Sequence, residues 1–311
     1  LQMLKPLYMY AGGKSKMIPK YLENPGLPQE FSTYVEPFFG AGAMFCHVAN
    51  NTPANCKSLV INDVKFEIVS LYKAIQGHAA DFMGRMDDLS LRYLPLAKED
   101  RKKFYYDLRD EYTSNKTQWN TPHEAATLYF LMKTAFNGIW QETKNSNGRF
   151  ATPCGLLNQK DSVYDPELVM LWNEVLQKTK ILHGDWLDAC KYTDAFYFLD
   201  PPYRNSFTQY GESFTDSDQM DLIEWCKEAA HENVVFYCNR DDAEDDFFER
   251  QRGTLNLNHY DITYTAGRRK KTEDGYEAKK SREILLHNHE RFTLDAFCGI
   301  MDKMENEYAN S

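Results

Sequence analysis

The sequence has no apolar run of membrane length. Its longest, such as residues 195–199, fall far short of the ~20 residues that a spanning helix requires. It has no C-x-x-C pair, and its seven cysteines are scattered and odd in number, which argues against a disulfide framework or a zinc knuckle. No basic-then-apolar leader opens it, so secretion is not expected and a reducing cytoplasm is the simplest setting. Repeats and low-complexity tracts are absent. Positive charge is scarce: 36 Lys and Arg face 46 Asp and Glu, a formal net charge of -10 that counts weakly against nucleic acid as a partner. What remains is 311 residues, 42% hydrophobic and 14% aromatic. That excludes a wholly disordered chain. It suits one large α/β unit, or a catalytic domain carrying a smaller second domain.

Short apolar, β-rich runs at 34–35, 59–61, 180–182, 195–199, 234–237 and 283–286 read as strands, most of them as buried on both faces of a parallel sheet. Between them, residues 66–75 and 219–230 place apolar side chains at three- and four-residue spacing, which predicts helices. Cap-type residues at 215–218 precede the second helix. The alternation breaks at 76–177, a helical and polar stretch with a Gly/Asn-rich loop near 137–155. The expected division is therefore a catalytic domain from 3–75 and 178–295, an insertion at 76–177 and a tail at 296–311. A crossover of that length would be unusual.

Three motifs carry chemistry. Phe39-Gly40-Ala41-Gly42 follows a strand, and Asp63 follows the next strand, 21 residues beyond Gly42. Two glycines let the turn tighten against a ligand, and the later carboxylate can accept both hydroxyls of a ribose. Phe45 stands where the third glycine of G-x-G-x-x-G would be, so a nucleoside fits better than a dinucleotide. Gly13-Lys14-Ser15 invites a phosphate-loop reading, but that pattern needs glycine at position 8, which is Tyr8. The strongest signal is Asp200-Pro201-Pro202-Tyr203 at the end of a strand. The residue before a proline is pushed out of the helical region and each proline fixes its own φ, so the run leaves the strand as a stiff elbow. Its carbonyls and Asp200 supply acceptors and Tyr203 supplies a flat face, which suits a planar heterocycle with an exocyclic amine. No metal is expected. His287-Asn288-His289 has no usable ligand spacing, and the acidic stretch 241–246 reads as a solvated first turn of a helix. Pro153-Cys154 does not follow a core strand, so its thiol reads as structural rather than nucleophilic.

Taken in order, Tyr10-Ala11-Gly12-Gly13-Lys14, Glu36-Pro37-Phe38-Phe39-Gly40-Ala41-Gly42, Ile61-Asn62-Asp63 and Asp200-Pro201-Pro202-Tyr203 resemble the Dam-type DNA adenine N6-methyltransferases. So do Phe136-Asn137-Gly138 with Gly148, Phe150, Pro153 and Gly155, and then Phe207, Tyr210 and Phe214. The resemblance covers roughly residues 4 to 290. It implies a Rossmann-like methyltransferase sheet that binds S-adenosylmethionine, with an inserted target-recognition domain. Tyr10, Lys14, Phe39, Gly40, Gly42, Asp63 and Asp200 would line the cofactor site, and Asp185 and Trp186 would hold its adenine. Asp200, Pro201, Pro202 and Tyr203 would form the catalytic elbow for an adenine flipped from duplex DNA. Tyr203 would stack on that base, while Asp200 and the Pro201 carbonyl would localise the N6 lone pair for in-line attack on the methyl group. Asn137, Gln141 and Arg149 are expected at the DNA. Gln141 stands where the family usually carries arginine; because arginine reads guanine and glutamine prefers adenine, the family's common GATC target is in doubt. An RNA base methyltransferase and a DNA-binding homologue that has lost catalysis are the other readings.

The charge is also uneven. Residues 267–282 hold seven basic and three acidic side chains, and Arg268, Arg269, Lys270 and Lys271 run consecutively. That segment is expected to grip phosphates, which confines the basic surface to one face of an acidic protein.

Overall fold

The computed structural model describes residues 2–10, 13–114, 121–204, 214–241, 245–264, 270–272, 275–277 and 279–290. The sheet is built from β1 (Thr33–Glu36), β2 (Ser58–Asp63), β3 (Thr179–His183), β4 (Ala195–Leu199), β5 (Val234–Asp241), β6 (Asn256–Tyr264) and β9 (Lys279–His287). Their order is β3-β2-β1-β4-β5-β9-β6. The first five are parallel, and β9 runs antiparallel between β5 and β6. Every residue of β1 and β4 is buried, as covering both faces of a parallel sheet demands. All six strands expected from apolar runs are present, but β9 runs antiparallel rather than parallel, and β3, at the sheet edge, buries only Thr179 fully. β6 was not foreseen, because its sequence Asn-Leu-Asn-His-Tyr-Asp-Ile-Thr-Tyr mixes polar with apolar residues at the sheet edge.

Helices cover the sheet: α1 (Ile18–Glu23), α2 (Ala43–Asn50), α3 (Phe66–Tyr93), α4 (Lys98–Ser114), α5 (Pro122–Thr134), α6 (Pro166–Leu176), α7 (Asp216–Ala229) and α8 (Phe247–Gln251). Thr215 opens α7 with a capping box: its hydroxyl accepts from the Asp218 N–H and the Asp218 carboxylate accepts from the Thr215 N–H. In the acidic stretch, Asp245 accepts from the Phe247 N–H just as α8 begins, whereas Asp241 lies in β5 and pairs with His259 at 3.2 Å. Among the described residues no helix is long and apolar enough to cross a membrane.

The helix expected at 66–75 runs on to Tyr93, kinked at His78, where φ and ψ are -144° and 41°. The change from sheet-covering helix to insertion therefore falls inside α3. Among the described residues, the stretch 76–177 shares its interior with the sheet. Phe82, Tyr93, Tyr105, Tyr129 and Phe130 belong to the same buried cluster as Phe45, Trp172, Phe196 and Phe236. α6 closes that cluster: Trp172 stacks on Phe45 at 5.4 Å between ring centroids, meets Phe39 and Tyr72, and donates from Nε1 to the Lys5 carbonyl at 2.9 Å.

Glu67 ties α3 to the insertion, accepting from the Tyr112 hydroxyl and from the Phe150 N–H. Burial pushes its carboxyl up to about 7 from the usual 4.5, against the pull of those two donors. The folded chain thus keeps a proton that the unfolded chain releases earlier, so this group's contribution to stability falls as pH rises from about 4.5 to about 7. Glu67→Gln is expected to flatten the pH dependence of the urea midpoint across that window. The same slope in both proteins would contradict the assignment.

Candidate active site

The direction of strand order reverses between β1 and β4, and in open α/β sheets the crevice beyond the carboxyl ends of the strands at that point takes the ligand. Four neighbouring strands deliver the expected residues there. β1 leads into Gly40, β2 ends at Asp63, β3 leads into Asp185, and β4 leads into Asp200. Asn62 holds three of these ends together by donating to the carbonyls of Pro37 and Gly184, each at 3.0 Å.

The Gly40 turn requires glycine twice. Gly40 and Gly42 have φ of +53° and +68°, and a Cβ on Gly42 would lie 2.5 Å from the Phe39 ring. A Cβ on Gly40 would come within 3.2 Å of the Tyr10 ring, which lies over the turn. Tyr8 donates to the Gly40 carbonyl at 2.8 Å. Asp63 accepts from the Gly40 N–H at 2.9 Å and from the Lys65 N–H at 2.8 Å. Burial raises its carboxyl, and those two donors oppose the rise. Asp185 is exposed and caps the short turn Trp186–Ala189 through the Leu187 N–H. Trp186 is half-buried, stacking near Phe38 at 6.5 Å.

At the elbow, Lys14 Nζ lies 2.8 Å from Asp200 Oδ1 and 4.7 Å from the Tyr203 ring centroid. Burial opposes the Lys14 charge, but Asp200 and Glu283 outweigh it and hold the ammonium above the ordinary lysine value. Burial also raises Asp200, with Glu283 adding to the rise and Lys14 countering it. The Tyr203 hydroxyl donates to Glu283 at 2.7 Å, and the Arg240 guanidinium lies 5.6 Å from its ring. Sequence reasoning missed Glu283 and Arg240. Glu283 opens the last apolar run, and a carboxylate at the head of a core strand was the signal available in the sequence; in β9 it is 1% exposed.

Two expected site residues are placed differently. Phe39 turns its ring into the core, 3% exposed, against Phe45, Tyr72 and Trp172; only its backbone belongs to the turn. Arg149, expected at DNA, is 1% exposed, with Nη1 donating to the Tyr112 carbonyl and to Glu124 at 3.0 Å. A charge so deeply buried must be paired, and this pairing holds α4, α5 and the loop together.

The neighbours of the remaining loop residues touch the segments that carry Tyr10 and Asp63. Asn137 is exposed with φ of +49°. The adjacent Gly138 packs so closely that a Cβ would meet the Met9 carbonyl at 2.6 Å. Gln141 is half-buried, its N–H donating to Thr152, whose hydroxyl donates to the Ile139 carbonyl at 2.7 Å. Glu142 pairs with Lys65, the residue whose N–H holds Asp63. Of the basic run, Lys270 and Lys271 lie in β7 (Lys270–Thr272), which pairs with β8 (Gly275–Glu277), while Arg268 and Arg269 lie outside the described residues.

Fold and site define a doubly wound α/β protein with a tight glycine turn and an acidic, aromatic elbow at its switch point. The chain belongs to the D12 class N6 adenine-specific DNA methyltransferase family, whose model matches residues 10–252. It is 31% identical to the type II methyltransferase M.MjaIII of Methanocaldococcus jannaschii, over 71% of this chain and 79% of that one. To the type II methyltransferase M1.LlaDCHI of Lactococcus lactis it is 25% identical, over 92% and 96% of the two chains. Identity to the DNA adenine methylase of Haemophilus influenzae is 22%, over 74% and 77%. The protein is an adenine-specific DNA methyltransferase and needs a methyl donor.

Proposed function

We propose that the donor is S-adenosylmethionine, held in the crevice between Gly40 and Asp185, and that the substrate is an adenine flipped out of duplex DNA onto the Asp200 elbow. The observation that carries this reading is the convergence of Gly40, Asp63, Asp185 and Asp200 at the carboxyl ends of four adjacent strands. The donor set fits the cofactor. An ionised carboxylate has about four acceptor sites. The N–H groups of Gly40 and Lys65 occupy two of those on Asp63, leaving acceptors for vicinal hydroxyls. The bare Gly40 turn under Tyr10 leaves room where a side chain would intrude. Trp186 and Phe38 offer flat apolar faces, and Asp185 an acceptor, for an adenine ring. When bound, the cofactor supplies an electrophilic methyl group.

The chain's own residues prepare the amine. A flipped adenine loses its stacking, and an aromatic face can replace part of that at about 1–3 kcal/mol. Tyr203 provides that face, with its hydroxyl fixed by Glu283. Asp200 and the Pro201 carbonyl accept from the N6 amine, which withdraws its lone pair from the ring and aims it outward. The Lys14 ammonium now takes up the Asp200 acceptor expected of that amine and lies over the Tyr203 face expected to stack on the base, so it must shift as the base enters.

The insertion would read sequence. Asn137 and Gln141 lie on a loop joined to the Tyr10 segment at Met9 and to the Asp63 turn at Lys65. Lys270 and Lys271, with Arg268 and Arg269, would contact phosphates and make binding salt-sensitive. Modified-base sequencing of DNA from cells expressing the chain tests the reading: N6-methyladenine confined to one short motif is expected, and unmodified adenine throughout would refute it. Gln141→Arg is expected to move one position of that motif towards guanine, since a bidentate pair discriminates by about 1–3 kcal/mol. An unaltered motif would mean that another residue reads it.

A further inference from the structure

The elbow would serve the reaction only if its carbonyls and Asp200 hold still, and two prolines fix φ without fixing where the run points. Behind it lies a polar group that no motif suggested. Gln219 of α7 and Asn239 of β5 are both 0% exposed in an otherwise apolar layer. Gln219 Nε2 donates to the Pro202 carbonyl at 2.7 Å. Asn239 Oδ1 accepts from the N–H of Arg204 at 3.0 Å and of Arg240 at 2.9 Å. Asn239 Nδ2 donates to the Tyr237 hydroxyl at 2.9 Å and to Gln219 Oε1 at 3.2 Å, and the Tyr237 hydroxyl donates to that same Oε1. Arg204, next along the chain, is bound through its guanidinium to Asp216 and Asp245 and lies 3.9 Å from the Phe247 ring centroid.

The network brackets Tyr203, gripping the carbonyl before it and the N–H after it. Its orientation is also forced. Gln219 Oε1 receives two donors, so Nε2 must face Pro202, and Asn239 must present its oxygen to the two backbone N–H groups. A buried amide set with one consistent assignment is stiff, because every alternative leaves a buried polar atom unpaired.

Resting on the elbow reading above, we propose that Gln219 and Asn239 are positioning residues for methyl transfer, setting the height and tilt of the Asp200–Tyr203 elbow towards the flipped base. Neither touches a reactant; both act through the backbone on either side of Tyr203. A network that merely satisfied buried groups would influence stability and leave the turnover of folded enzyme unchanged.

The test uses the full chain, duplex DNA containing its methylation motif, and S-adenosylmethionine. Gln219→Leu is expected to lower kcat about 100-fold, the scale of a small misplacement of a reacting group. Its cofactor dissociation constant should stay within about threefold of wild type, because the elbow geometry and not the cofactor turn is disturbed. Gln219→Glu supplies the sharper signature. Its carboxylate would face the Pro202 carbonyl, acceptor against acceptor, whereas the protonated acid restores a donor there. Relative to wild type, kcat of Gln219→Glu should therefore rise as pH falls from 8 to 6, even if Gln219→Leu fails to fold. Parallel pH profiles for Gln219→Glu and wild type would overturn the proposal. So would a folded Gln219→Leu that turns over like wild type. If wild type methylates adenine in the same assay, either result overturns this role alone; if wild type does not, the elbow reading falls with it.

Discussion

Asp200→Ala is expected to lower methyl transfer to duplex DNA by at least about 10²–10³-fold, the range for removing one preorganised polar group from a reacting centre. The loss has two sources. The amine loses its charged acceptor, and Lys14 loses its partner while remaining buried beside Glu283. The second effect makes the variant more than a simple deletion, because an ammonium without its carboxylate would be drawn towards Glu283, which the Tyr203 hydroxyl now uses. Asp200→Asn helps to separate the sources: it keeps an acceptor oxygen for the amine while removing the charge that faces Lys14, so its difference from Asp200→Ala reports the acceptor. Single-turnover transfer of labelled methyl, alongside a cofactor titration, measures both. Cofactor binding should persist in part, since Gly40, Asp63 and Asp185 lie on other strands. Turnover of Asp200→Ala at the wild-type rate would sink the mechanism.

Trp172→Ala should be the most damaging change to the fold, at about 3–5 kcal/mol. The indole is fully buried, stacks on Phe45 at an interplanar angle of 9°, and contacts Phe39, whose backbone begins the Gly40 turn. Its bond to the Lys5 carbonyl adds about 1 kcal/mol. A urea titration reads the stability, and the expected companion is weaker cofactor binding, because the turn loses its backing. A loss below about 1 kcal/mol would show that the surrounding rings collapse into the space.

Four of the parallel strands were legible as short apolar runs covered on both faces, and β3, at the sheet edge, by its Ile181-Leu182 pair. β6 was not, since an edge strand with Asn, His and Asp among its residues carries no such run. The far half of α3 was lost at His78, where the helix bends and polar residues follow. At the site, glycines and prolines announced themselves because they constrain backbone. Arg149 was misread for a related reason: a basic residue in a Gly/Asn-rich loop looks the same in sequence whether it faces phosphate or is buried with Glu124. Gln219 and Asn239, 20 positions apart, become partners only once α7 packs on β5.

The shared interior of α3, α5 and α6 also bears on how such a protein could change its target. Among the described residues of 76–177, Phe82, Tyr129 and Trp172 lie within one continuous cluster with the sheet, so no separate core could be cut out whole. Exchanging the stretch for the corresponding piece of a relative would sever that cluster along its length. On the recognition role proposed for residues 137–142, single replacements there should change the target more readily than exchange of the whole stretch, and chimaeras joined at residues 75 and 178 should seldom fold.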